Sequence, residues 1–179
     1  MSISLYDAVI PSFQQILTSV AALLDKAEAW CAESGIAPED IIQARLAPDM
    51  LPFAYQVKST AVHSLGAIEG VRRGTFSPDM VPPPETFPDL SRRISDARAA
   101  LAAIDPQEVN GFEGRPMRFS VRGHYAEYTA ESFLLSFSKP NFYFHATTAY
   151  DILRAKGLVI GKVDYLGRLN MVKEPDASC

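Results

Sequence analysis

The chain has 179 residues, 47% of them hydrophobic, and a formal net charge of −4. That length and composition supply one sizeable core and predict a single domain. The acidic balance argues against nucleic acid or an anionic membrane as partner, since either selects clustered Lys and Arg. The densest basic pairs, Arg72-Arg73 and Arg92-Arg93, fall on predicted helices and read as solvated faces.

The N-terminal stretch "MSISLYDAVIPS" has no basic region followed by an apolar block, so no signal peptide is expected. No apolar run is expected to approach the roughly 20 residues needed to cross a bilayer. Cys31 and Cys179 make no disulfide framework, which fits a reducing cytoplasm with both thiols free.

Phe13, Ile16, Val20, Leu23, Leu24, Ala27 and Trp30 recur at three- and four-residue steps and predict a first amphipathic helix ending at Gly35. Pro11 is expected to bend or delay its first turn. Cys31, near the inward Ala27, reads as a small core residue. A short connecting helix, "PEDIIQARL", follows. A second long helix runs from Pro52 to Gly74, with Phe53, Val57, Ala61, Ser64, Ile68 and Val71 on one face.

"TFSPDMVPPPETFPD" carries five prolines, which forbid a regular helix or a central strand, and reads as an exposed crossover. Thr86 and Asp89 mark an N-cap and an acidic first turn. The third helix buries Leu90, Ile94, Ala97, Leu101 and Ile104. Met117, Phe119 and Val121 then alternate with polar residues, and Arg122-Gly123 can turn the chain, so a small β-hairpin is expected. Helical spacing returns at Glu131, is interrupted at Pro140 and continues to Gly157. The remainder shows no sustained period. These elements predict an all-α fold: a four-helix bundle with a long crossover loop and a small β-hairpin before the last helix. Residues 1–170 form one domain and 171–179 a flexible tail.

His145 lies in the middle of the run "NFYFHATTAY". At about 100° per residue, Phe142, Ala149 and Ile152 lie within about 60° of it, so it points inward. It is then either a neutral imidazole held by a buried Tyr, Thr or Ser hydroxyl, or a metal ligand or general base. His63 sits beside Gln56, Thr60 and Ala67 at the flank of the second helix's apolar face, at similar depth. Two imidazoles alone make a poor metal centre, since a catalytic zinc takes three protein ligands plus water. Asn141, Asp151, Tyr150 and Glu69 are the candidates for a third. His124, in the hairpin, is expected to be exposed. There is no nucleophile elbow, no phosphate-binding glycine loop and no H-E-x-x-H helix. Tyr143 and Tyr150 lie off the stripe centred on His145, and a homodimer through helix faces is expected on that ground.

"LYDAVIPSFQQIL", "LDKAEAW", "RLAPDMLPFAYQV", "NFYFHATTAYDILRAKG" and "IGKVDYL" together resemble a family of domains of unknown function. That family belongs to the DinB-like (YfiT-like) superfamily of bacterial four-helix bundles. The resemblance runs in order from near the N-terminus to about Leu166. In better-understood members of the superfamily a divalent metal is held by three histidines, one on the second helix and an H-x-x-x-H pair on the fourth. Some of these members are thiol-dependent transferases or isomerases.

The resemblance implies that His63 matches the second-helix ligand and His145 one member of the fourth-helix pair. Ala149 stands four residues after His145 and Asn141 four before it, so the second member is missing. The expectation is a small-molecule-binding bundle whose cavity holds His63, His145, Asn141, Gln56, Thr60 and Tyr150. No tightly bound cofactor is expected, only a weakly held divalent ion (Zn, Ni or Fe) on His63 and His145. The alternative is a metal-dependent, thiol-transferase-like enzyme using the same two histidines.

Overall fold

The computed structural model of the protein describes residues 2–169, so the expected tail at 171–179 lies outside the described residues. Helix α1, Leu5–Ser34, opens on Ser4, whose hydroxyl accepts from the Asp7 amide at 3.1 Å, and closes on Gly35 at φ 66°. The left-handed φ there suits a residue without a Cβ. Pro11 neither delays nor ends the helix, because the chain is already helical six residues earlier. α1 is also long and apolar enough to cross a membrane by length and composition, contrary to expectation, yet half of its apolar window is buried within this fold.

Helix α2 spans Pro38–Ile42. The expected second long helix is two helices, α3 (Phe53–Val62) and α4 (Leu65–Arg73). His63 and Ser64 form the break, with Ser64 at φ −110° and ψ −87°. The break was hidden because the apolar spacing continues through it: Ala61, Ser64, Ile68 and Val71 are all buried.

Strand β1, Thr75–Phe76, precedes the crossover. Helix α5, Phe87–Ala102, starts as predicted with the Thr86 hydroxyl accepting from the Asp89 amide at 3.2 Å. Helix α6 is Pro106–Asn110. Strands β2 (Pro116–Val121) and β3 (His124–Thr129) form the expected hairpin. Arg122 at φ 48° and Gly123 at φ 82° make its two-residue turn, whose positive φ values match the twist of the strands. The hairpin is part of a three-stranded sheet, since β1 pairs parallel to β2 through Thr75↔Arg118 and Phe76↔Phe119. The fold is therefore mostly helical with a small sheet rather than all-α.

The last long tract is continuous: α7 (Ala130–Ser132), a π-helical turn (Phe133–Ser138), then α8 (Lys139–Lys156). Pro140 follows the π-helical turn directly and does not interrupt the tract. A short helix α9, Lys162–Leu166, follows where no periodic element was expected. It packs on α1, with Gln15 Nε2 donating to the Leu166 carbonyl at 2.8 Å. Tyr150 meets Tyr165 of α9 at 5.9 Å between ring centroids, and Tyr143 is half-buried against the core. The two tyrosines that motivated a dimer interface are thus partly covered by the chain itself.

α1 packs against α5 and α8, and α3 packs against the same two helices from the other side. The core between them is aromatic: Phe13 meets Phe142 edge-on at 4.7 Å, and Phe53 faces Phe87 at 6.4 Å. Cys31 is buried, as its position predicted.

The proline-rich crossover is fastened by a buried cation. Lys58 of α3 is 1% exposed and donates to the Asp79 carbonyl at 3.0 Å and to the Val81 carbonyl. Its ammonium also lies 3.2 Å from the Asp79 carboxylate, which accepts from Arg93 of α5 at 3.0 Å. Partial burial alone pushes the Asp79 carboxyl up, but the Val81 amide, Lys58 and Arg93 outweigh it and hold it below its usual range. Removing one partner of such a group leaves buried polar atoms uncompensated. Lys58→Met is expected to lower the unfolding free energy by about 2–3 kcal/mol in urea titrations, the partial exposure of Asp79 keeping the loss below that of a fully buried pair. Arg92→Ala, on an exposed pair with Asp89, is expected to leave the urea midpoint unchanged.

Candidate functional site: a stacked histidine pair

The break between α3 and α4 creates the site. A helix that ends leaves its last carbonyls without partners. Here the Ser64 hydroxyl turns back to the Thr60 carbonyl at 2.6 Å, and Ser138, the last residue of the π-helical turn, donates to the His63 carbonyl at 3.0 Å. Both serines are fully buried. The irregular turn of one helix thus satisfies the irregular end of another, and His63 is fixed where the two meet.

His63 and His145 stack, their ring centroids 5.6 Å apart and their planes 15° from parallel. The expected pairing of the second- and last-helix histidines is therefore present. Both rings are half-buried, not fully buried as the stripe geometry predicted for His145. Tyr55 and Phe144 pack edge-on against His145 at 5.9 and 5.4 Å. Phe76 and Phe137 flank His63 at 5.6 and 5.9 Å. Phe76 can lie this close to α4 because Gly70 has no side chain: a Cβ there would meet the Phe76 ring at 3.1 Å.

The partner of His145 is an amide, not the hydroxyl expected. His145 Nδ1–H donates to Gln56 Oε1 at 2.7 Å, and the amide nitrogen of Gln56 donates in turn to the Leu51 carbonyl at 2.8 Å. That second bond fixes the Gln56 amide with its oxygen toward the imidazole, which places the proton on Nδ1 and leaves Nε2 as an acceptor. Ser138 gives its proton to the His63 carbonyl, and its oxygen lies a long 3.5 Å from His63 Nδ1, too far to set the tautomer of that ring.

The remaining expected site residues divide. Gln56 is in the site, and sequence position alone placed it there. Thr60 is buried and donates to the Val57 carbonyl at 2.7 Å, so its hydroxyl is spent on its own helix. Asn141 likewise donates to the Phe137 carbonyl at 2.7 Å. Tyr150 packs against Tyr165, on another face of α8 from His145. His124 is exposed, as expected. Tyr55, Phe137 and Ser138 are contacts the sequence did not reveal. Aromatic and serine residues carry no distinguishing pattern, and only the π-helical turn directs Ser138 at His63.

The metal implied by the resemblance requires three nitrogen or carboxylate ligands. No group of three His, Cys, Asp and Glu residues that could hold an ion occurs among the described residues. Glu69 lines a separate cleft beside α4, and Asp151 joins no such group. The residues present do not make a three-ligand centre.

Burial pushes His63 down to about 3, with added repulsion from His145, and pushes His145 down to about 4. Both are neutral in the folded protein at neutral pH, while the unfolded chain binds protons near 6.5. Because the folded values are depressed, the folded state binds fewer protons than the unfolded chain below about 6.5. Stability from this pair is fully present above about 6.5 and is lost progressively as pH falls from there through 4 toward 3. The urea midpoint of the wild type is expected to fall more steeply between pH 6.5 and 4 than that of His63→Asn/His145→Asn. Parallel curves are the contrary outcome.

The sequence matches the family described as "Domain of unknown function (DUF1993)" over residues 5–166. Among solved structures, the chain is similar to a DinB family member protein from Shewanella denitrificans. The two share 28% identity over 96% of each chain, with a TM-score of 0.79. No curated protein matches the sequence. The family match spans nearly the whole chain and includes both histidines of the stacked pair, so this protein belongs to the DUF1993 family of domains of unknown function.

Proposed function

We propose that this protein is a DinB-like four-helix bundle that binds a small molecule at the His63–His145 pair, with a metal site lacking its third ligand. The observation that carries the reading is the pair itself: two neutral, half-buried imidazoles stacked 5.6 Å apart, with His145 Nδ1–H held by Gln56. Neutral imidazoles between aromatic walls suit a ligand that brings hydrogen-bond donors, such as a hydroxyl or an amine, on an apolar frame. The ring contacts of Tyr55, Phe144, Phe137 and Phe76 supply the apolar side of such a pocket. The similarity to a DinB family member supports the bundle architecture.

A second reading, a divalent-metal-dependent enzyme of the thiol-transferase kind, is favoured by one feature. Gln56 orients His145 through Nδ1, as partners behind metal-ligating histidines do. Against it stands the ligand count: Ala149 occupies the position of a second α8 imidazole, and Asn141 has donated its amide to the Phe137 carbonyl. Zn, Ni or Fe held by His63 and His145 alone is expected to exchange readily with chelator.

Histidine spectra, ligand binding and metal content separate these readings. Long-range nitrogen–proton spectra of histidine-labelled protein are expected to show both rings neutral at pH 7, with the His145 proton on Nδ1. A fragment screen read on the same resonances is expected to find hydroxyl- or amine-bearing ligands that shift both Nε2 signals and that no longer bind His145→Ala. Near-stoichiometric metal surviving dialysis against chelator, and lost in both His63→Ala and His145→Ala, would favour the enzyme and overturn the first reading. Gln56→Leu is expected to weaken binding about tenfold through loss of the imidazole's orientation, the size of one charge-neutral hydrogen bond left unmade.

A further inference from the structure

A cleft of about 380 Å³ lies on the other side of α3–α4 from α8, between α4 and α5 and beside β1. The helix break opens it. α3 packs along α5, but beyond Ser64 the chain departs in a new direction and α4 touches α5 more sparsely. Ala61, Val62, Leu65 and Phe76 form an apolar wall. Glu69 and Arg73 reach in from α4, and Arg93 and Asp96 from α5.

The charges of this cleft are largely unspent. Glu69 precedes Arg73 by four residues, the order and spacing that favour a pair on one helix. Neither they nor Asp96 make an ion pair among the described residues. Arg93 is held in place by Asp79 at 3.0 Å, while its Nε is buried with no acceptor among the described residues. Asp79 is in turn balanced by Lys58. What remains free is a guanidinium on one wall, with a carboxylate one turn before it and another on the facing helix.

We propose that this cleft is a binding site for a small zwitterion with an apolar body, the chemistry of a free amino acid with an apolar side chain. A purely anionic ligand meets Glu69 and Asp96, and a purely cationic one meets Arg73 and Arg93. A molecule carrying both signs satisfies both, its carboxylate on Arg73 and its ammonium between Glu69 and Asp96. Val62, Leu65 and Phe76 cover the side chain, and the volume suits a ligand of that size. The site is independent of the histidine pair. Phe76 lines the cleft on one side and packs against His63 on the other, so its ring lies between the two.

The test is a calorimetric titration with L-phenylalanine and L-leucine, set against phenylalaninamide, which lacks the carboxylate, and N-acetylphenylalanine, which lacks the ammonium. At least one free amino acid is expected to bind with a dissociation constant of about 0.1–1 mM, and the two blocked analogues about tenfold more weakly. Arg73→Ala, at an exposed position, and Glu69→Gln, at a half-buried one, are expected to weaken the free amino acid by about tenfold each, while His145→Asn leaves it unchanged. The proposal is overturned if neither amino acid binds at about 10 mM. It is equally overturned if the blocked analogues bind as well as the free ones, or if binding survives Arg73→Ala and is lost in His145→Asn.

Discussion

The hydrogen bond from the Ser138 hydroxyl to the His63 carbonyl joins the two irregular points of the structure. Without it, the end of α3 has a carbonyl lacking a partner at a largely buried position, a cost of about 1–3 kcal/mol that a continuous helix avoids. With it, the chain can break at His63–Ser64, turn α4 toward the sheet and set His63 against His145. The π-helical turn that ends at Ser138 supplies the donor, because one extra residue in the turn changes which side chains face α3. Both features of interest follow from this contact. The histidine pair forms where the irregular helices meet, and the charged cleft opens where α4 parts from α5.

The crossover depends on a second interaction of a different kind. Four prolines, Pro78 and Pro82 to Pro84, prevent the segment after β1 from making regular backbone bonds, and few of its own side chains pack in the core. Lys58 compensates from beneath. Its ammonium gathers two carbonyls and a carboxylate of the crossover, and Asp79 passes the connection on to Arg93 of α5. A buried lysine is costly unless its three donors find acceptors, and here each has one. The same Asp79–Arg93 contact fixes one side of the cleft, so the strap and the proposed zwitterion site share a structural element.

At the histidine pair, neutral imidazoles and a shortage of ligands have the same origin. The rings are surrounded by aromatic side chains rather than carboxylates, so burial lowers their proton affinity and nothing nearby restores it. A neutral imidazole is the form that binds a metal, but aromatic rings and a methyl group at Ala149 offer no further ligand. The same surroundings suit an apolar ligand with hydrogen-bond donors.

Much of the architecture was legible in the sequence because it rests on periodic burial. Phe13 to Ala27, Leu90 to Ile104, and Phe142 with Ala149 and Ile152 fall inside as their spacing requires, and Gly35, Gly74 and Thr86 end or begin helices by local backbone chemistry alone. The inward aim of His145 and its nearness to His63 were legible for the same reason, with the family resemblance bringing the two helices together. The break at Ser64 was not, since a buried serine at a helical step looks like a continuing stripe until the hydroxyl is seen bonded to Thr60. Nor were β1, whose two residues have meaning only beside β2, and Lys58, which looks like an exposed charge until the crossover folds over it. Spacing along the chain decides which face of an element is buried. Which donor meets which acceptor is decided by residues far apart in sequence, here 75 residues between Ser138 and His63 and 89 between His145 and Gln56, and only the tertiary structure brings them within bonding distance.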